Sequence, residues 1–512
     1  MRINLIEYFL ETAKKYPSRT AIIEDDQRIS FAELRQWAVA LSYAMVETIN
    51  VVNVPIAVFL PKSINTVIAD TAITYSGNIY MNLDVKSPLK RIDSIIDLIQ
   101  PVILVTSQHY FDTIKPVLPD SIKICFIDEK YAFDEKQEDL LLKRLSRLID
   151  TDPYCIINTS GSTGTPKGVV LNHKSFFDFI EWSINTLEID DEEIIGSLSP
   201  AVFDIYVYEL CMLMSKGSTI VLLPDRLSAF PKKILEILKK ENVTYIFWVP
   251  TIMVNIANMN LLSKIDLPEL KTVWFAGEVL PTKQYNYWHR HLLDAKFVNL
   301  YGPIEITLDC TYYVVDREFD DSEPLPIGYA CRNTSLLILN DDDRLCVRGE
   351  EGELCVRGTS LAMGYYNNKE KTEAAFTQNP LNTKYPEIIY RTGDIVVENE
   401  RGEIMFKGRR DTLVKHLGYR IELGEIEHVV VNALKLVSNG CVVYSQHSKE
   451  IVLFYENDIE LSASDFHKLI SQNLPKYMVP TKYVKVDSIP MNTNGKVDRL
   501  QLSKEFGYTD EK

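Results

Sequence analysis

Short apolar runs alternate with amphipathic segments over the first 300 residues, and this alternation predicts strands and helices in turn. Apolar positions at helical spacing predict a helix over 5–15, and Ser30 with Glu33 predicts a capping box that starts a second helix. Residues 20–24 and 27–30 predict a hairpin. Further buried strands are predicted at 54–59, 102–106, 154–157, 169–171, 245–249, 273–276 and 297–300. Strands and helices that alternate with short connections predict a parallel α/β sheet.

Beyond residue 325 the pattern changes to short strands with turn signals, predicted at 335–339, 344–347, 352–356, 395–398 and 404–406. These strands predict a β-rich subdomain, and the mixed pattern that follows predicts a small α+β domain. We therefore expect an α/β protein with a large domain over 1–410, built of parallel-type α/β subdomains and the β-rich part. A C-terminal domain over 411–512 would follow a hinge near Asp411, and the charged segment 129–149 predicts a solvated helix.

The stretch from Thr159 to Gly168, TSGSTGTPKG, lies between two apolar runs and is rich in glycine and hydroxyl side chains. A strand, a loop and a second strand are the simplest prediction. Such a loop can turn backbone N–H groups inward and add hydroxyl donors and one cation, which together cradle polyphosphate. The spacing of a Walker A loop is absent, and a flexible surface turn remains the alternative.

Composition narrows the class of partner. The chain is 46% hydrophobic and 25% charged with a formal net charge of -16, which argues against nucleic acid or an anionic membrane as the main partner. The eight cysteines include no C-x-x-C pair and fit reduced core cysteines. No apolar run approaches the ~20 residues of a membrane span, and a charged residue interrupts the N-terminal segment too early for a signal peptide. We expect a soluble, cytoplasmic protein.

Seven short motifs follow one another in a fixed order, which is far more specific than any one of them. They are TSGSTGTPKG at 159–168, FDIYVYE at 203–209, NLYGPIE at 299–305, GELCVRG at 352–358, YRTGD at 390–394, the segment 408–421, and NGKVDR at 494–499. Together they resemble the adenylate-forming enzymes: acyl-CoA synthetases, luciferase and nonribosomal peptide synthetase adenylation domains. The segment 76–84 resembles a further motif of that superfamily, so the resemblance spans nearly the whole chain.

The resemblance implies a reaction in two steps. ATP and a carboxylic acid give an acyl-adenylate and pyrophosphate, and a thiol then takes the acyl group, with a mobile small domain that rotates between the steps. The implied ATP-binding positions are Thr159, Ser160, Gly161, Ser162, Thr163, Gly164, Lys167, Gly277, Asn299, Tyr301, Gly302, Asp394, Arg409 and Lys496. Among them Ser162 and Thr163 would donate hydroxyl hydrogen bonds, Tyr301 would stack on adenine, and Asp394 with Arg409 would hold the ribose.

Three positions carry implied catalytic roles. Lys496 would bridge the substrate carboxylate and the α-phosphate, and Glu305 would hold Mg²⁺, which suits a hard oxygen ligand beside phosphates. Gly418 would line a pantetheine tunnel after the small domain rotates, where a Cβ would narrow the passage. Lys167 would contact the outer phosphates in one state and be mobile in others.

The acid substrate is predicted from Asp204. In amino-acid-activating members an aspartate here pairs with the substrate α-ammonium, which favours an amino acid over a plain acid; the alternative is a structural aspartate that caps the following helix. The bulk of Tyr208, Phe247 and Trp274 predicts a small or compact side chain such as that of Ala, Ser, Gly or Pro, and Asp309 can accept a hydrogen bond from a substrate hydroxyl or second amine. The implied pocket residues are Asp204, Ile205, Tyr208, Phe247, Trp274, Ala276, Leu300, Leu308 and Asp309.

This sequence departs from the family pattern at three positions of the predicted site. Residues 275–281 resemble D-alanine–carrier protein ligase, but Ala276 stands where that enzyme usually has Cys, which puts D-alanine in doubt. Ile304 replaces the usual Thr, so a phosphate-contacting hydroxyl is lost, and Tyr206 replaces the usual small Ser.

The sequence therefore predicts a stand-alone amino-acid adenylating ligase that uses ATP and Mg²⁺. It would load the phosphopantetheine thiol of a separate carrier protein in trans, because the chain ends soon after Asp498 without a carrier motif. An acyl- or aryl-CoA synthetase of the same fold is the first alternative. A non-catalytic ATP-binding protein, suggested by Ile304, is the second.

Overall fold

The structure is a computed structural model that describes residues 2–159, 166–409, 413–437, 439–445, 448–456, 461–490, 497 and 499–508. The early strand–helix alternation forms two large sheets. The first sheet contains, in spatial order, the strands Gly364–Tyr365, Lys167–Asn172, Pro153–Thr159, Ile79–Asn82, Pro55–Phe59, Ile103–Thr106 and Lys123–Phe126. From Pro153–Thr159 onward its neighbours are parallel, while the hairpin that flanks the glycine-rich loop is antiparallel.

The second sheet is parallel through its centre and antiparallel at both edges. Its strands, in spatial order, are Tyr329–Ala330, Thr311–Val314, Lys296–Tyr301, Thr272–Phe275, Tyr245–Trp248, Ile194–Ser197, Thr219–Leu222, Thr20–Glu24 and Gln27–Ser30. The parallel run extends from Lys296–Tyr301 to Thr20–Glu24. The loops after these strands therefore meet at one edge, where ligands of parallel sheets bind.

The later strands form smaller sheets, which are antiparallel except that Glu450–Glu456 and Lys482–Lys485 pair in parallel. The β-rich part contains Thr334–Leu339, Glu351–Gly358, Ile388–Glu398, Phe376–Gln378 and Ile404–Arg409. The C-terminal part contains the hairpin Leu413–His416 and Tyr419–Glu422, and a sheet of Asn439–Ser445, Glu450–Glu456 and Lys482–Lys485. The first of these C-terminal units, the hairpin of residues 413–422, is called the site hairpin below.

The helices cover the sheets. The α-helices of the described residues are Leu5–Lys15, Phe31–Thr48, Ile64–Tyr75, Leu89–Ile99, Gln108–Ile114, Glu135–Leu145, His173–Leu187, Asp204–Lys216, Pro231–Lys240, Pro250–Asn258, Thr282–His291, Lys369–Ala375, Leu423–Glu427, Ala463–Ser471 and Arg499–Glu505, and a π-helix at His428–Ala433 continues Leu423–Glu427. Short 3₁₀ segments lie at Lys115–Val117, Asp225–Ala229, Ile304–Ile306 and Lys476–Met478. None of the helices so described is long and apolar enough to cross a bilayer.

One hydrophobic core joins the two large sheets. The helix Asp204–Lys216 is buried along almost its whole length, and its side chains share a cluster with strands of both sheets. Each large apolar side chain that is fully buried here contributes about 1.5–3 kcal/mol relative to exposure. The first residue of this helix is thereby fixed against the rest of the large domain, which matters because that residue is Asp204.

Several local predictions are confirmed by the structure. The N-terminal helix spans Leu5–Lys15, the hairpin strands are Thr20–Glu24 and Gln27–Ser30, and the capping box of Ser30 and Glu33 is present. These elements depend on patterns only a few residues long, so neighbouring residues specify them.

Two local predictions are wrong. The segment 344–347 forms no strand, because Leu345 and Val347 are exposed and find no apolar face to pack on. The helix predicted over 129–149 is shorter, Glu135–Leu145, and half-buried rather than solvated. Buried Arg144 on it donates to the carbonyl of Ser76 at 2.6 Å, a long-range contact that the sequence pattern does not show.

Candidate functional site

The candidate site lies beyond the carboxyl ends of three neighbouring parallel strands. Val249 follows Tyr245–Trp248, Gly277 comes two residues after Thr272–Phe275, and Gly302 follows Lys296–Tyr301. The site hairpin from the C-terminal part lies against these loops. Three adjoining cavities open here, and shared walls connect them: Gly277 and Asp394 belong to two of them.

The first cavity, of about 310 Å³, gathers five of the eight predicted nucleotide residues that the structure describes. Gly277, Asn299, Tyr301, Asp394 and Arg409 all line it, together with Leu300, which was predicted for the acid pocket. The buried carboxylate of Asp394 accepts hydrogen bonds from the hydroxyl of Tyr301 and from Arg409, the latter at 2.5 Å. Asn299 donates its side-chain amide to the carbonyl of Pro326 at 2.7 Å. The cavity thus offers an aromatic wall, a carboxylate and a guanidinium to one ligand.

The second cavity, of about 120 Å³, is the candidate acid pocket. Five predicted residues line it: Asp204, Ile205, Ala276, Leu308 and Asp309. Thr159, Gly302 and Ile304 also line it. Ile304 therefore presents an apolar side chain to the pocket where the family usually has a threonine hydroxyl.

Three aromatic residues predicted for the acid pocket are not among the residues that line this cavity. Tyr208, Phe247 and Trp274 are fully buried and contact one another as a cluster. Tyr208 stacks on Trp274 with ring centroids 5.7 Å apart, and Phe247 meets both rings edge-on. These side chains therefore belong to the close-packed core behind the strands, and their predicted contact with the substrate stays a prediction.

Asp204 opens onto the acid pocket from the first turn of its helix. Its carboxylate accepts the backbone N–H of Ile205 at 2.9 Å, while Phe203 occupies the N-cap position. Asp204 is therefore not the N-cap residue, and its only contribution to the start of the helix in the described part of the chain is this bond to the adjacent residue. Burial raises the pKa of Asp204 to about 6, with the cation of Lys415 opposing and the carboxylate of Glu305 reinforcing the shift.

Tyr206, the departure beside Asp204, points into the core rather than into the pocket. Its hydroxyl donates to Asp70 at 2.9 Å, and the side chain of Asn82 donates to the same carboxylate at 3.0 Å. Asn82 also donates to the carbonyl of Ala201 at 3.1 Å, so the network braces the loop that enters the helix of Asp204. Burial raises the pKa of Asp70 to about 7.

Glu305 is fully buried and is bound from both sides. The hydroxyl of Tyr365 donates to it at 2.8 Å, and Arg420 of the site hairpin donates to its other oxygen at 2.5 Å. Burial acts to raise the pKa of Glu305, but the Arg420 charge and these hydrogen bonds outweigh it and hold the pKa below its ordinary value. The carboxylate is therefore kept ionised, the form that a cation requires.

Two further ion pairs join the C-terminal part to the large domain. Lys167, at the end of the glycine-rich loop, lies 3.0 Å from Glu422, and Arg91 contacts the buried carboxylate of Glu425. Lys167 is thus paired with a carboxylate in this state of the protein.

Gly418 lies at the turn of the site hairpin. Its N–H donates to Glu278 at 2.9 Å, and its φ of +82° is in the left-handed region. A Cβ at this position would lie 2.9 Å from a methyl group of Val249. Next to it, Tyr419 stacks on Tyr477 with ring centroids 3.6 Å apart.

The third cavity, of about 320 Å³, begins on the far side of this turn. Its walls include Leu417, Tyr419, Val249, Trp248 and Ser199. Val249 and Tyr419 also line the acid pocket, so the turn at Gly418 separates the two spaces. Gly418 thus lies between two cavities, and its role beside a pantetheine tunnel stays a prediction.

Some predicted residues cannot be placed. Ser160, Gly161, Ser162, Thr163, Gly164, Asp411 and Lys496 lie outside the described residues. Within the described part of the chain, no group of three or more potential metal ligands is found, so Glu305 stands as a single carboxylate.

Sequence reasoning missed several residues that the structure brings to the site, among them Glu278, Tyr365, Lys415, Arg420 and Glu422. Glu278 directly follows Gly277, and Arg420 belongs to the motif segment 408–421, so a position near the site was predictable for both. The residues that they contact were not predictable. Tyr365 had no signal in the sequence.

Comparison with known proteins gives consistent matches. Residues 9–366 match the family described as "AMP-binding enzyme". Bacitracin synthase 1 of Bacillus licheniformis is 32% identical over 97% of the chain, which spans only 9% of that much longer protein. Zwittermicin A synthase ZmaJ of Bacillus cereus is 28% identical, and the match covers 97% of this chain and 94% of ZmaJ. The crystal structure of the Vibrio cholerae adenylation domain AlmE, in complex with glycyl-adenosine-5'-phosphate, matches 99% of this chain and 98% of its own with a TM-score of 0.85 at 21% identity.

Proposed function

The chain belongs to the family of AMP-binding enzymes, and we propose that it adenylates an amino acid and passes the aminoacyl group to the thiol of a phosphopantetheinylated carrier protein. The matches to a peptide synthase and to an adenylation domain bound to an aminoacyl-adenylate support this proposal. A separate carrier, used in trans, is part of the proposal.

The observation that carries the amino-acid proposal is the carboxylate of Asp204 in a pocket of about 120 Å³. A buried carboxylate is costly unless a cation accompanies it. Lys415, the cation that acts on Asp204, belongs to the site hairpin rather than to the large domain. Lys415 lines the same pocket, yet the pKa of Asp204 stays raised despite it, so an α-ammonium group would add a counter-charge that a fatty or aryl acid lacks.

Two cavities that share Gly277 and Asp394 support the proposed first step. Asp204 would hold the α-ammonium and so orient the substrate carboxylate toward the nucleotide. A carboxylate oxygen attacks the α-phosphorus of ATP, the bond from that phosphorus to the bridging oxygen breaks, and pyrophosphate leaves with the oxygen. Lys496 is proposed to neutralise the charge that both reacting groups bring together.

Glu305 fits the proposed Mg²⁺ ion. Mg²⁺ is commonly held by one or two carboxylates together with substrate phosphates, and Glu305 is a hard oxygen ligand that is kept ionised. When bound, the ion would offset the negative charge of the phosphates. Arg420 occupies the same carboxylate in this structure and would have to leave it first.

The second step would use the third cavity as the path of the pantetheine arm. The thiol sulfur attacks the carbonyl carbon of the adenylate, the carbon–oxygen bond to the phosphate breaks, and AMP leaves. With the site hairpin in place, Gly418 and Val249 border the opening between this path and the acid pocket. The absence of a side chain at Gly418 keeps that opening wide.

ATP–pyrophosphate exchange over a panel of amino acids, aliphatic acids and aryl acids tests the first step. We expect exchange with one or a few amino acids. Exchange with plain acids alone would instead support an acyl- or aryl-CoA synthetase, and no exchange with any acid would support a non-catalytic protein. Transfer to a phosphopantetheinylated carrier, compared with transfer to coenzyme A, tests the thiol.

The affinity for the amino acid is expected to depend on pH through Asp204. Its pKa of about 6 in the free protein means that the carboxyl is ionised above that pH and pairs with the ammonium, whereas below it protonation removes the charge. kcat/KM for the amino acid in exchange should therefore fall about tenfold per pH unit below 6. The KM for ATP measured on the same samples is the control. A kcat/KM that stays flat through pH 6 would contradict the proposed pairing.

A further inference from the structure

The carboxylate proposed to bind the ammonium group has no distant anchor of its own. Within the described part of the chain, the side chain of Asp204 accepts a hydrogen bond from one other residue, Ile205, which lies directly beside it. Its place in the acid pocket is therefore set by the backbone on either side. That backbone consists of residues 198–203, called the entry segment below, and the first turn of the helix Asp204–Lys216.

One buried carboxyl fastens this backbone on both sides of Asp204. After Asp204, the hydroxyl of Tyr206 donates to Oδ2 of Asp70 at 2.9 Å. Before Asp204, the carbonyl of Ala201 accepts the side-chain amide of Asn82 at 3.1 Å, and the same amide donates to Oδ2 of Asp70 at 3.0 Å. Two tethers, one on each side of the binding carboxylate, thus end at a single oxygen atom.

We propose that Asp70, Asn82 and Tyr206 are positioning residues for amino-acid adenylation: they hold Asp204 where it meets the α-ammonium group, and none of them touches the substrate. The proposal rests on the amino-acid adenylation proposed above and specifies how its binding carboxylate is held. Tyr206 stands where the family usually has Ser, and a serine side chain would be too short to reach the carboxyl of Asp70. The tether after Asp204 therefore comes with this departure from the family pattern.

Other contacts of the entry segment do not replace these tethers. Lys62 donates to the carbonyls of Ser197 and Ser199 at 2.9 and 3.0 Å, which fixes the start of the segment but not its end. Phe203 meets Tyr419 of the site hairpin edge-on, with ring centroids 4.9 Å apart. On the proposed rotation of the small domain, that contact would be lost in the first step. The three positioning residues all belong to the large domain, so their tethers would remain.

Among the described residues, no cation accompanies the carboxyl of Asp70 in the core. Asp70 is 1% exposed, its Oδ1 atom has no hydrogen-bond partner in that part of the chain, and burial raises its pKa to about 7. Replacing buried polar groups of this kind by apolar side chains of similar volume is often neutral or stabilising. Stability alone therefore gives no reason for the carboxyl, whereas holding two donors at one point does.

Loss of one tether should weaken amino-acid binding more than it slows the chemical step. Tyr206→Phe keeps the ring in the core and removes the donor. We expect the KM for the amino acid in ATP–pyrophosphate exchange to rise about 5- to 20-fold, with kcat and the KM for ATP within about threefold, because a displaced Asp204 pairs poorly with the ammonium group. Asn82→Leu, which removes the other tether, should have an effect of similar size. A purely structural role would lower the melting temperature without this split between KM and kcat.

Two substitutions of Asp70 test the common anchor. Asp70→Asn keeps the shape and an acceptor, and the acid itself is partly neutral near its pKa of about 7, so the KM for the amino acid should stay within about threefold. Asp70→Leu removes the acceptor from both tethers and should raise that KM at least as much as Tyr206→Phe. Adding Tyr206→Phe to Asp70→Leu should then change the KM by less than about threefold, because the tether is already lost. Multiplied effects would contradict a common anchor.

A matched control separates a positioning role from a structural one. Tyr75, at the end of the helix that carries Asp70, is fully buried and donates to the buried carboxylate of Glu138 at 3.3 Å. Tyr75→Phe should lower the melting temperature as Tyr206→Phe does and leave the KM for the amino acid unchanged.

Tyr206→Phe, the mildest of these changes, decides the question even if Asp70→Leu fails to fold. An unchanged KM for the amino acid in folded Tyr206→Phe would overturn this inference while the proposed function stands. Exchange with no amino acid by the unaltered protein would instead refute the proposed function, and this inference with it.

Discussion

Gly418→Leu should slow thioester formation at least about 30-fold while ATP–pyrophosphate exchange stays within about threefold of the unaltered protein. With the site hairpin seated, a Cβ at this position already lies 2.9 Å from Val249, and a leucine would also enter the space between the acid pocket and the third cavity. A crowded contact and a left-handed backbone together cost about 2–5 kcal/mol, which gives the expected factor. Single-turnover transfer to the carrier protein measures it.

A rescue experiment shows whether the clash with Val249 is the cause. Because the nearest atoms belong to the Val249 side chain, Gly418→Ala combined with Val249→Ala should transfer faster than Gly418→Ala alone. Gly349→Leu is a matched control, since Gly349 has a similar φ of +86° with open space around its missing Cβ. Equal loss of exchange and transfer in Gly418→Leu would contradict the proposal that the small domain takes a different position in each of the two steps.

Asp204→Asn is expected to lower kcat/KM for the amino acid in exchange by about 10²- to 10³-fold, because a buried ammonium would lose its counter-charge. The KM for ATP should change little, since the nucleotide cavity is lined by other residues. Asparagine keeps the shape of the side chain and can still accept the N–H of Ile205, so loss of the helix-start contact is not expected to contribute.

The control for this variant is an aspartate paired elsewhere. Asp191→Asn removes a partly exposed ion pair with Lys216 and Lys15, and such pairs are worth only about 0–1 kcal/mol. It should leave exchange unaffected. Unchanged amino-acid kinetics in Asp204→Asn would show that the ammonium is bound elsewhere.

Elements set by neighbouring residues were predictable from the sequence. The capping box at Ser30 and the hairpin of 20–30 depend on patterns a few residues long, and both are confirmed. Placement of Tyr301 and Gly277 at one cavity followed from a general property of parallel sheets, since loops after adjacent strands meet at one edge.

The electrostatic partners of the site were not predictable in the same way. Arg420 reaches Glu305 across 115 positions of chain, and Lys167 reaches Glu422 across 255. No local pattern encodes such pairs, because they depend on how the site hairpin lies against the large domain. The bond from Tyr365 to Glu305 was missed for the same reason.

Asp309 shows a third kind of limit. The sequence placed it in the pocket and suggested that it accepts a hydrogen bond, but only the structure shows that its carboxyl has no donor among the described residues. Its position depends on Thr307 and Leu308, whose φ values of +51° and +68° make a left-handed turn before it, and on Gly302, where a Cβ would lie 2.5 Å from the Cα of Asp309. Those are properties of backbone geometry, not of residue type.

The ion pairs of the site hairpin have a consequence for the order of events. Arg420 takes the carboxylate proposed for the metal, and Glu422 takes the lysine proposed for the outer phosphates. The cation of Arg420 thus takes the place proposed for Mg²⁺ at Glu305. The carboxylate of Glu422 takes the place proposed for the outer phosphates at Lys167. On the proposed roles, metal–pyrophosphate and the hairpin compete for the same two residues. Added pyrophosphate would then displace the hairpin by mass action and inhibit thioester formation. Release of pyrophosphate after the first step would determine when the hairpin can bind and the thiol can reach the adenylate.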